Sequence, residues 1–431
     1  MQYFSTNKQS PAVSFREATI RGQAPDSGLY FPEHIPQLSA AFISSLSSRS
    51  KADIAYEVIS PYVGTDIAEA DLYAICEQTV NFDFPLRQVS DRIYSLELYH
   101  GPTLAFKDVG ARFMSRCLGY FSKSDSRKVT VLVATSGDTG SAVANGFLGV
   151  EGVDVVILYP SGKVSKVQEL QLTTLGQNIS ALEVQGTFDD CQRMVKQAFA
   201  DKTLTDQLYL TSANSINVAR WLPQQFYYFY AMQAWGQQSP PVVSVPSGNF
   251  GNVCAGLLAH SSGLPAGHYV VACNSNDVFT RYLASGTFAP MAAVATISNA
   301  MDVGNPSNLV RIQQLYDHNY ERQRSDISSY SIDDPTTAAT IARVYEQHGY
   351  LLDPHGAVAY RALELYLADK PDQKGFILET AHPIKFADVV EPITGQKIEA
   401  PASLGDLLQQ TKKSRLMKPD YKALRAYLLS R

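Results

Sequence analysis

A doubly wound α/β fold built on parallel sheets is predicted by three stretches of this 431-residue chain. They are "VTVLVATSGDTGSAVANGFLG", "VDVVILYPSGKVSKVQELQLTTLG" and "VVSVPSGNFGNVCAGLLAHSSG", and each runs from an apolar segment through a glycine turn into an amphipathic helical pattern. Uninterrupted Val/Ile/Leu runs ahead of helices mark parallel strands covered on both faces. The same alternation recurs from about residue 86 to about residue 395, which is taken as one catalytic region. Ahead of it, about residues 1–85 mix short helical patterns with turn-rich pieces such as "SGLYFPEHIP" and predict a small N-terminal α/β domain. Behind it, about residues 396–431 contain "QQTKKSRLMKPDYKALRAYLLSR", a basic helical tail expected to pack as a solvated helix rather than to bind a polyanion.

The composition narrows the partners. With 45% hydrophobic and 18% charged residues and a net charge of -5, neither nucleic acid nor an anionic membrane is expected as the main partner. Five cysteines, odd in number, dispersed and without a CxxC pair, fit buried thiols in a reducing compartment. The start "MQYFSTNKQSPAV" carries no charged-then-apolar signal pattern, no apolar run approaches membrane-spanning length, and a cytoplasmic location is expected. No His/Cys/carboxylate spacing matches a metal site, and none is expected.

All three glycine turns lie where a strand's carboxyl end meets a helix start, the edge at which open parallel sheets gather ligands. Unpaired N–H groups and the positive helix dipole favour an anion there. "PSGNFGN" (Pro246 to Asn252, with Ser247, Gly248, Asn249, Phe250 and Gly251 between) is the best of the three, because its glycines let the backbone approach an anion closely. It lacks the GK[ST] ending of a nucleotide loop, so a small phosphate ester is expected. "TSGDTGS" and "PSGKVSK" add hydroxyls, a carboxylate and Lys163 at the same edge.

One lysine stands out in "HGPTLAFKDVGARFM". If its helix starts near Pro102 or Thr103, Phe106, Val109 and Phe113 form the buried stripe. Lys107 then has Gly110 and Ala111 on its own face, leaving a flat space for a planar ring. A lone helical lysine is by default a solvated cation. A phosphate loop together with an amine beside such a space points instead to pyridoxal phosphate, which needs both.

"HGPTLAFKDVGARFM", "ATSGDTG", "SANSINVAR", "VPSGNFGN" and "TAHPIKFAD" occur in the order and at roughly the spacings that resemble the threonine synthase family. The early "VSFREATIRGQAPDSGLYFPEHIP" resembles that family's N-terminal domain, so the similarity covers nearly the whole chain. It implies a pyridoxal-phosphate enzyme of fold type II, with about residues 112–225 as a smaller subdomain and the rest of the catalytic region as the larger, cofactor-holding one. It implies conversion of O-phospho-L-homoserine and water to L-threonine and phosphate, the last step of threonine biosynthesis, by γ-elimination and β-addition of water.

Lys107 then matches the Schiff-base lysine. Gly248, Asn249, Phe250 and Asn252 match the loop on the cofactor phosphate, although the position of Asn252 is often aspartate in the family. Thr380 matches the hydroxyl that meets the pyridine nitrogen. Neighbouring Glu379 competes for that contact, but successive strand residues face opposite ways, which favours Thr380. Ser136, Asp138 and Thr139 fall near the substrate carboxylate, ring oxygen and leaving phosphate. Lys163, Asn217 and Arg220 are the further candidates for the substrate phosphate, with Arg220 favoured because its planar fork can bind two oxygens. His355 and His382 are expected to pack or cap rather than to move protons.

The rivals left open are a serine/threonine dehydratase or ammonia-releasing phospho-lyase of the same cofactor class, and a non-catalytic phosphate-ester binder on the same fold. A monomer or homodimer is expected.

Overall fold

The computed structural model describes residues 1–123 and 128–430. Three short strands open the chain: β1 (Gln2–Ser5), β2 (Val13–Ser14) and β3 (Tyr30–Pro32), antiparallel in the order β2-β1-β3. The others are β4 (Leu86–Gln88), β5 (Ile93–Glu97), β6 (Val129–Ala134), β7 (Val153–Pro160), β8 (Ile179–Val184), β9 (Tyr209–Thr211), β10 (Val242–Pro246), β11 (His268–Cys273), β12 (Ile327–Ser331), β13 (Gly375–Glu379) and β14 (Arg415–Met417). A six-stranded sheet runs β12-β11-β10-β13-β5-β4 and is parallel except for the β4–β5 pair. A five-stranded sheet runs β14-β8-β7-β6-β9 and is parallel throughout. This is the doubly wound α/β architecture that the apolar runs predict.

Burial follows the two-residue period of a strand. Val131, Val133, Val155 and Ile157 belong to one apolar core, while Leu132, Ala134, Val156 and Leu158 belong to another on the opposite face. All eight residues of β7 are buried. Fully burying one such side chain is worth about 1.5–3 kcal/mol, so both sheet faces must stay covered by helices.

The N-terminal strands and helices do not form a separate core. The ring of Phe15 lies 6.4 Å from that of Phe113 and 6.3 Å from that of Phe121, on the helix Lys107–Ser122. Arg311, fully buried, donates from Nη2 to the carbonyls of Tyr30 and Ile216 at 3.0 and 2.6 Å, tying β3 to the "SANSINVAR" segment.

The tail is not a lone solvated helix. Its residues Arg415–Met417 add β14 to the edge of the small sheet, parallel to β8. The helix Tyr421–Leu429 then buries Leu424 and Leu428 in the core on that sheet's outer face. Lys412 binds Glu169 at 2.8 Å and Glu183 at 2.7 Å. The basic residues suggested solvent because the short strand between them is too brief to leave a periodic signal. Arg431 lies outside the described residues.

The helix expected to open at Pro102 or Thr103 begins at Lys107. Residues 101–106 form a turn with Leu104 in the left-handed region at φ 58°. Thr103 donates to buried Asp108 through its backbone N–H at 2.9 Å and its hydroxyl at 2.5 Å, bracing the helix entrance. Val109 and Phe113 are buried as expected, and Phe106, which precedes the helix, is half-buried.

Candidate active site

Strands β10, β13 and β5 are adjacent and parallel. The segments leaving their carboxyl ends therefore emerge side by side, across two strand spacings of about 10 Å. After β10 comes "SGNFGN", after β13 comes Thr380, and after β5 comes the turn that delivers Lys107. The last two are locked together: Phe106 N–H donates to the Thr380 carbonyl at 2.8 Å, His382 N–H donates to the Leu104 carbonyl at 3.0 Å, and Ala105 bridges Ala381. The small sheet contributes from the end of β6, where the helix Asp138–Phe147 starts.

Asp138 faces Lys107, with Oδ2 4.0 Å from Nζ. Its Oδ1 accepts from Lys385 Nζ at 2.8 Å and from Gln168 Nε2 at 2.9 Å. Burial alone would raise the Asp138 carboxyl, but Lys385 and Lys107 overcome it and hold the group far below the usual carboxylate range. For Lys107 the largest effect is burial, which lowers its amine; Asp138 opposes that, while Lys385 and Arg220 reinforce it. The Lys107 side chain keeps 19% of its surface exposed, so the amine is desolvated yet reachable. Burial of this kind favours the neutral amine, the form that acts as nucleophile or base.

Arg220 is buried, and it donates from Nη1 to the Ala213 carbonyl. Its Nε has no hydrogen-bond partner, and no carboxylate pairs with it, among the described residues. Burial lowers the guanidinium to about 10, which leaves it charged at neutral pH. An unpaired buried cation is costly unless an anion joins it.

Gly110 and Ala111 do not leave a flat space for a ring. A Cβ on Gly110 would stand 2.7 Å from the Arg220 carbonyl oxygen, and the Ala111 methyl would lie 3.2 Å from a Cβ on Gly146. Small residues here admit two other helices to close approach.

In the "PSGNFGN" loop one residue lies in the left-handed region. Phe250, not Gly248, takes positive φ, at 61°. Gly248 is required by crowding, since a Cβ there would stand 2.7 Å from the Met301 Cα and 3.1 Å from the Ala300 carbonyl oxygen. The helix Gly251–Ser261 that follows has no side-chain cap. Among the described residues, the N–H groups of Gly248, Asn249, Phe250 and Gly251 donate to no protein acceptor. Uncapped donors at a helix start are a set suited to a phosphate. The loop's side chains hold the loop itself. Ser247 Oγ donates to the Val245 carbonyl at 2.8 Å, Asn252 Nδ2 to the Pro246 carbonyl at 2.7 Å, and Asn249 Nδ2 to Ser215 Oγ at 3.0 Å.

Thr380 is buried, and its hydroxyl makes no hydrogen bond among the described residues. Glu379 turns to the start of the helix Pro354–Leu367, where its Oε1 accepts from the Asp353 N–H at 2.6 Å. Burial first, and then Asp353, raise its carboxyl strongly. His355 pairs through Nδ1 with Asp353 at 2.5 Å and accepts from the Ala300 N–H at Nε2. His382 caps the turn Pro383–Phe386, and burial pushes it down to about 4.

Two sequence candidates stand apart. Asn217 is fully buried and caps the helix Val218–Trp221, its Oδ1 accepting from the Ala219 N–H at 2.9 Å. Its Nδ2 donates to the Thr19 carbonyl at 2.8 Å, so its amide is spent inside the protein. Lys163 is exposed, with no ion pair to the site residues among those described. Ser136 is exposed and Thr139 half-buried beside Asp138.

Lys385 and Gln168 were not singled out in the sequence. Lys385 sits inside "TAHPIKFAD", where a lysine in an apolar, proline-flanked run was the available signal. Gln168 completes a capping box with Ser165, legible as S-x-x-Q.

Comparison with known proteins decides the family. A model of the family "Pyridoxal-phosphate dependent enzyme" matches residues 82–378, one for "Threonine synthase N terminus" residues 2–80, and one for "Threonine synthase, C-terminal" residues 356–428. The threonine synthase of Haemophilus influenzae is 42% identical over 431 residues, covering 100% of each chain. The chain belongs to the threonine synthase family. The crystal structure of threonine synthase from Escherichia coli superimposes with a TM-score of 0.92 at 40% identity, covering 100% of both chains. The pyridoxal-phosphate-bound threonine synthase from Brucella melitensis gives 0.93 at 35% identity, covering 99% of this chain and 98% of that one. The cofactor is pyridoxal phosphate, the enzyme is a lyase, and its activity is that of threonine synthase. Dehydratase and simple binder are set aside by matches to both family-specific ends of the chain.

Among the described residues no group of three His, Cys, Asp or Glu is placed to hold a metal, and no helix is long and apolar enough to cross a membrane. All five cysteines are free and buried.

Proposed function

We propose that Lys107 supplies the reacting amine, that the N–H groups at the start of the helix Gly251–Ser261 hold the cofactor phosphate, and that Arg220 receives the phosphate of O-phospho-L-homoserine. Bound in this way, pyridoxal phosphate would supply an aldehyde for the amine and an electron sink for negative charge at the substrate's Cα. Lys107, whose neutral form burial favours, takes the Cα proton and then a Cβ proton of the substrate. Ser136 and Thr139 offer hydroxyl donors to the substrate's carboxylate. Thr380 offers a hydroxyl to the ring nitrogen, and the turn of Glu379 away from it supports that reading. A hydroxyl there leaves the nitrogen unprotonated, whereas a carboxylate would hold it protonated. Loss of phosphate from Cγ, protonation at Cγ, addition of water at Cβ and return of a proton to Cα complete threonine.

The observation that carries the substrate-phosphate reading is Arg220 itself: a buried guanidinium whose Nε has no hydrogen-bond partner and which no carboxylate contacts among the described residues. The uncapped loop across the sheet edge accounts for one phosphate, and the buried cation beside Lys107 accounts for a second. Asn217 and Lys163 fall out of this reading, the first as a helix cap and the second as a surface cation. The partner is a small molecule. We read the chain as a monomer or homodimer of the cytoplasm, in keeping with its reduced, buried thiols.

The test is Arg220→Ala with both phosphates followed in one variant. Cofactor affinity should hold, while activity toward O-phospho-L-homoserine falls by about 2–4 kcal/mol of transition-state stabilisation. Inorganic phosphate should inhibit the variant less than the wild type. Loss of cofactor with ester binding intact would reverse the assignment.

A further inference from the structure

Lys385 Nζ is fully buried beside the site. It comes from the turn Pro383–Phe386 behind β13 and reaches Asp138 at the end of β6 at 2.8 Å. It also donates to the Thr103 carbonyl, on the turn that delivers Lys107, at 2.8 Å. Gln171 Nε2 donates to the same carbonyl at 3.1 Å. One ammonium thus joins three of the segments that build the site, drawn from both sheets.

We propose that Lys385 is a positioning residue for Lys107: it fixes the Asp138 carboxylate that faces the reacting amine and neutralises that carboxylate's charge. The proposal rests on Lys107 being the reacting amine. Asp138 alone beside Lys107 would hold the amine as an ammonium, unable to attack an aldehyde or take a proton. With Lys385 on Oδ1, the carboxylate remains ionised and aligned, but the pair presents no net charge to Nζ. The groups acting on Lys107 support this balance: Asp138 and Asp353 favour its charged form, and Lys385 and Arg220 oppose it. Burying a carboxylate and an ammonium together also explains how Asp138 is tolerated among apolar strand ends, since breaking such a pair leaves an uncompensated buried charge.

The test compares wild type with Lys385→Met, Asp138→Asn and the double variant, each checked for folding by circular dichroism. Apoenzyme is mixed with pyridoxal phosphate across a pH series, and the rate of return of the cofactor's visible absorbance is recorded. In that step the amine nitrogen bonds the aldehyde carbon and one water leaves, a step open only to the neutral amine, so the pH midpoint reports Lys107. Lys385→Met should move the midpoint up by about one unit or more, because Asp138 is then unopposed. Asp138→Asn should move it down. The double variant, which keeps Asp353 and Arg220 and leaves neither member of the Asp138–Lys385 pair as a lone charge, should return it toward wild type. Were Lys385→Met not to fold, Asp138→Asn and the double variant would still have to differ in these directions. Midpoints unchanged in every variant, with only cofactor affinity reduced, would overturn the proposal and leave Lys385 a structural brace.

Discussion

Gly110 and Arg220 touch backbone to backbone: a methyl at position 110 would stand 2.7 Å from the Arg220 carbonyl oxygen and 3.1 Å from its Nε. A carbonyl cannot swing aside as a side chain can. Alanine is favoured over glycine in a helix by about 1 kcal/mol, but that gain is smaller than the overlap it creates here. Gly110→Ala should therefore be destabilised, by up to about 2 kcal/mol once the helix gain is subtracted. It should raise KM for the phosphate ester with cofactor affinity unchanged. Denaturant unfolding and steady-state kinetics read both. A variant stabilised by the substitution, with wild-type KM, would show that the contact constrains nothing.

Gly248→Val should weaken cofactor binding because its Cβ would meet the Met301 Cα and the Ala300 carbonyl, both backbone atoms. The loop would have to move, and with it the uncapped N–H groups. A loss of about 1–3 kcal/mol in stability accompanies such overpacking. Dialysis followed by an absorbance spectrum measures the effect on the cofactor. Full retention of colour and affinity would mean that the phosphate lies elsewhere.

The tail carries a pH dependence. Burial alone would raise Glu183, but Lys412, Ser161 and Ser414 bring it down to about 2. A carboxyl lowered on folding stabilises the protein above its unfolded value of about 4.5 and loses that contribution as pH falls toward about 2. Because Lys412 is partly exposed, the contribution is about 1–2 kcal/mol. Glu183→Gln should lower stability at pH 7 by that amount, and the gap to wild type should close between about pH 4.5 and pH 2. Urea titrations over that range give the comparison. A gap constant with pH would show that the ion pair does not anchor β14.

Much of the fold was legible because parallel strands buried on both faces must be apolar at every position. Val153–Pro160 is buried throughout, and no surface helix would tolerate such a run. Lys107 and Arg220 stood out through family resemblance and residue chemistry, and their roles remain the proposal made above. What lay beyond reach depends on contacts between distant segments. Nothing within "SANSINVAR" tells whether Asn217 faces a ligand or Thr19, 198 residues away. Gly110 reads alike whether it makes room for a ring or for the backbone of Arg220. The positive φ at Phe250 rather than Gly248 runs against the preference of the residues themselves, and the ring of Phe250 packs on that of Phe279 at a centroid distance of 5.2 Å, a contact between distant segments. Lys385 was hidden for the opposite reason: a buried lysine is rare, and its partners Asp138 and the Thr103 carbonyl, both distant in sequence, explain it.

Lys107 is the residue proposed to carry the conversion of O-phospho-L-homoserine and water to threonine and phosphate in this site. The most direct test of that role is product analysis of purified wild type and Lys107→Ala on O-phospho-L-homoserine, with threonine, phosphate, 2-oxobutanoate and ammonia all measured. Wild type should yield threonine and phosphate in equal amounts. The variant should remain folded yet lose turnover by many orders of magnitude, each tenfold step being about 1.4 kcal/mol of barrier. Near-normal threonine formation by a variant free of wild-type enzyme, or 2-oxobutanoate and ammonia as the main products of the wild type, would contradict the account.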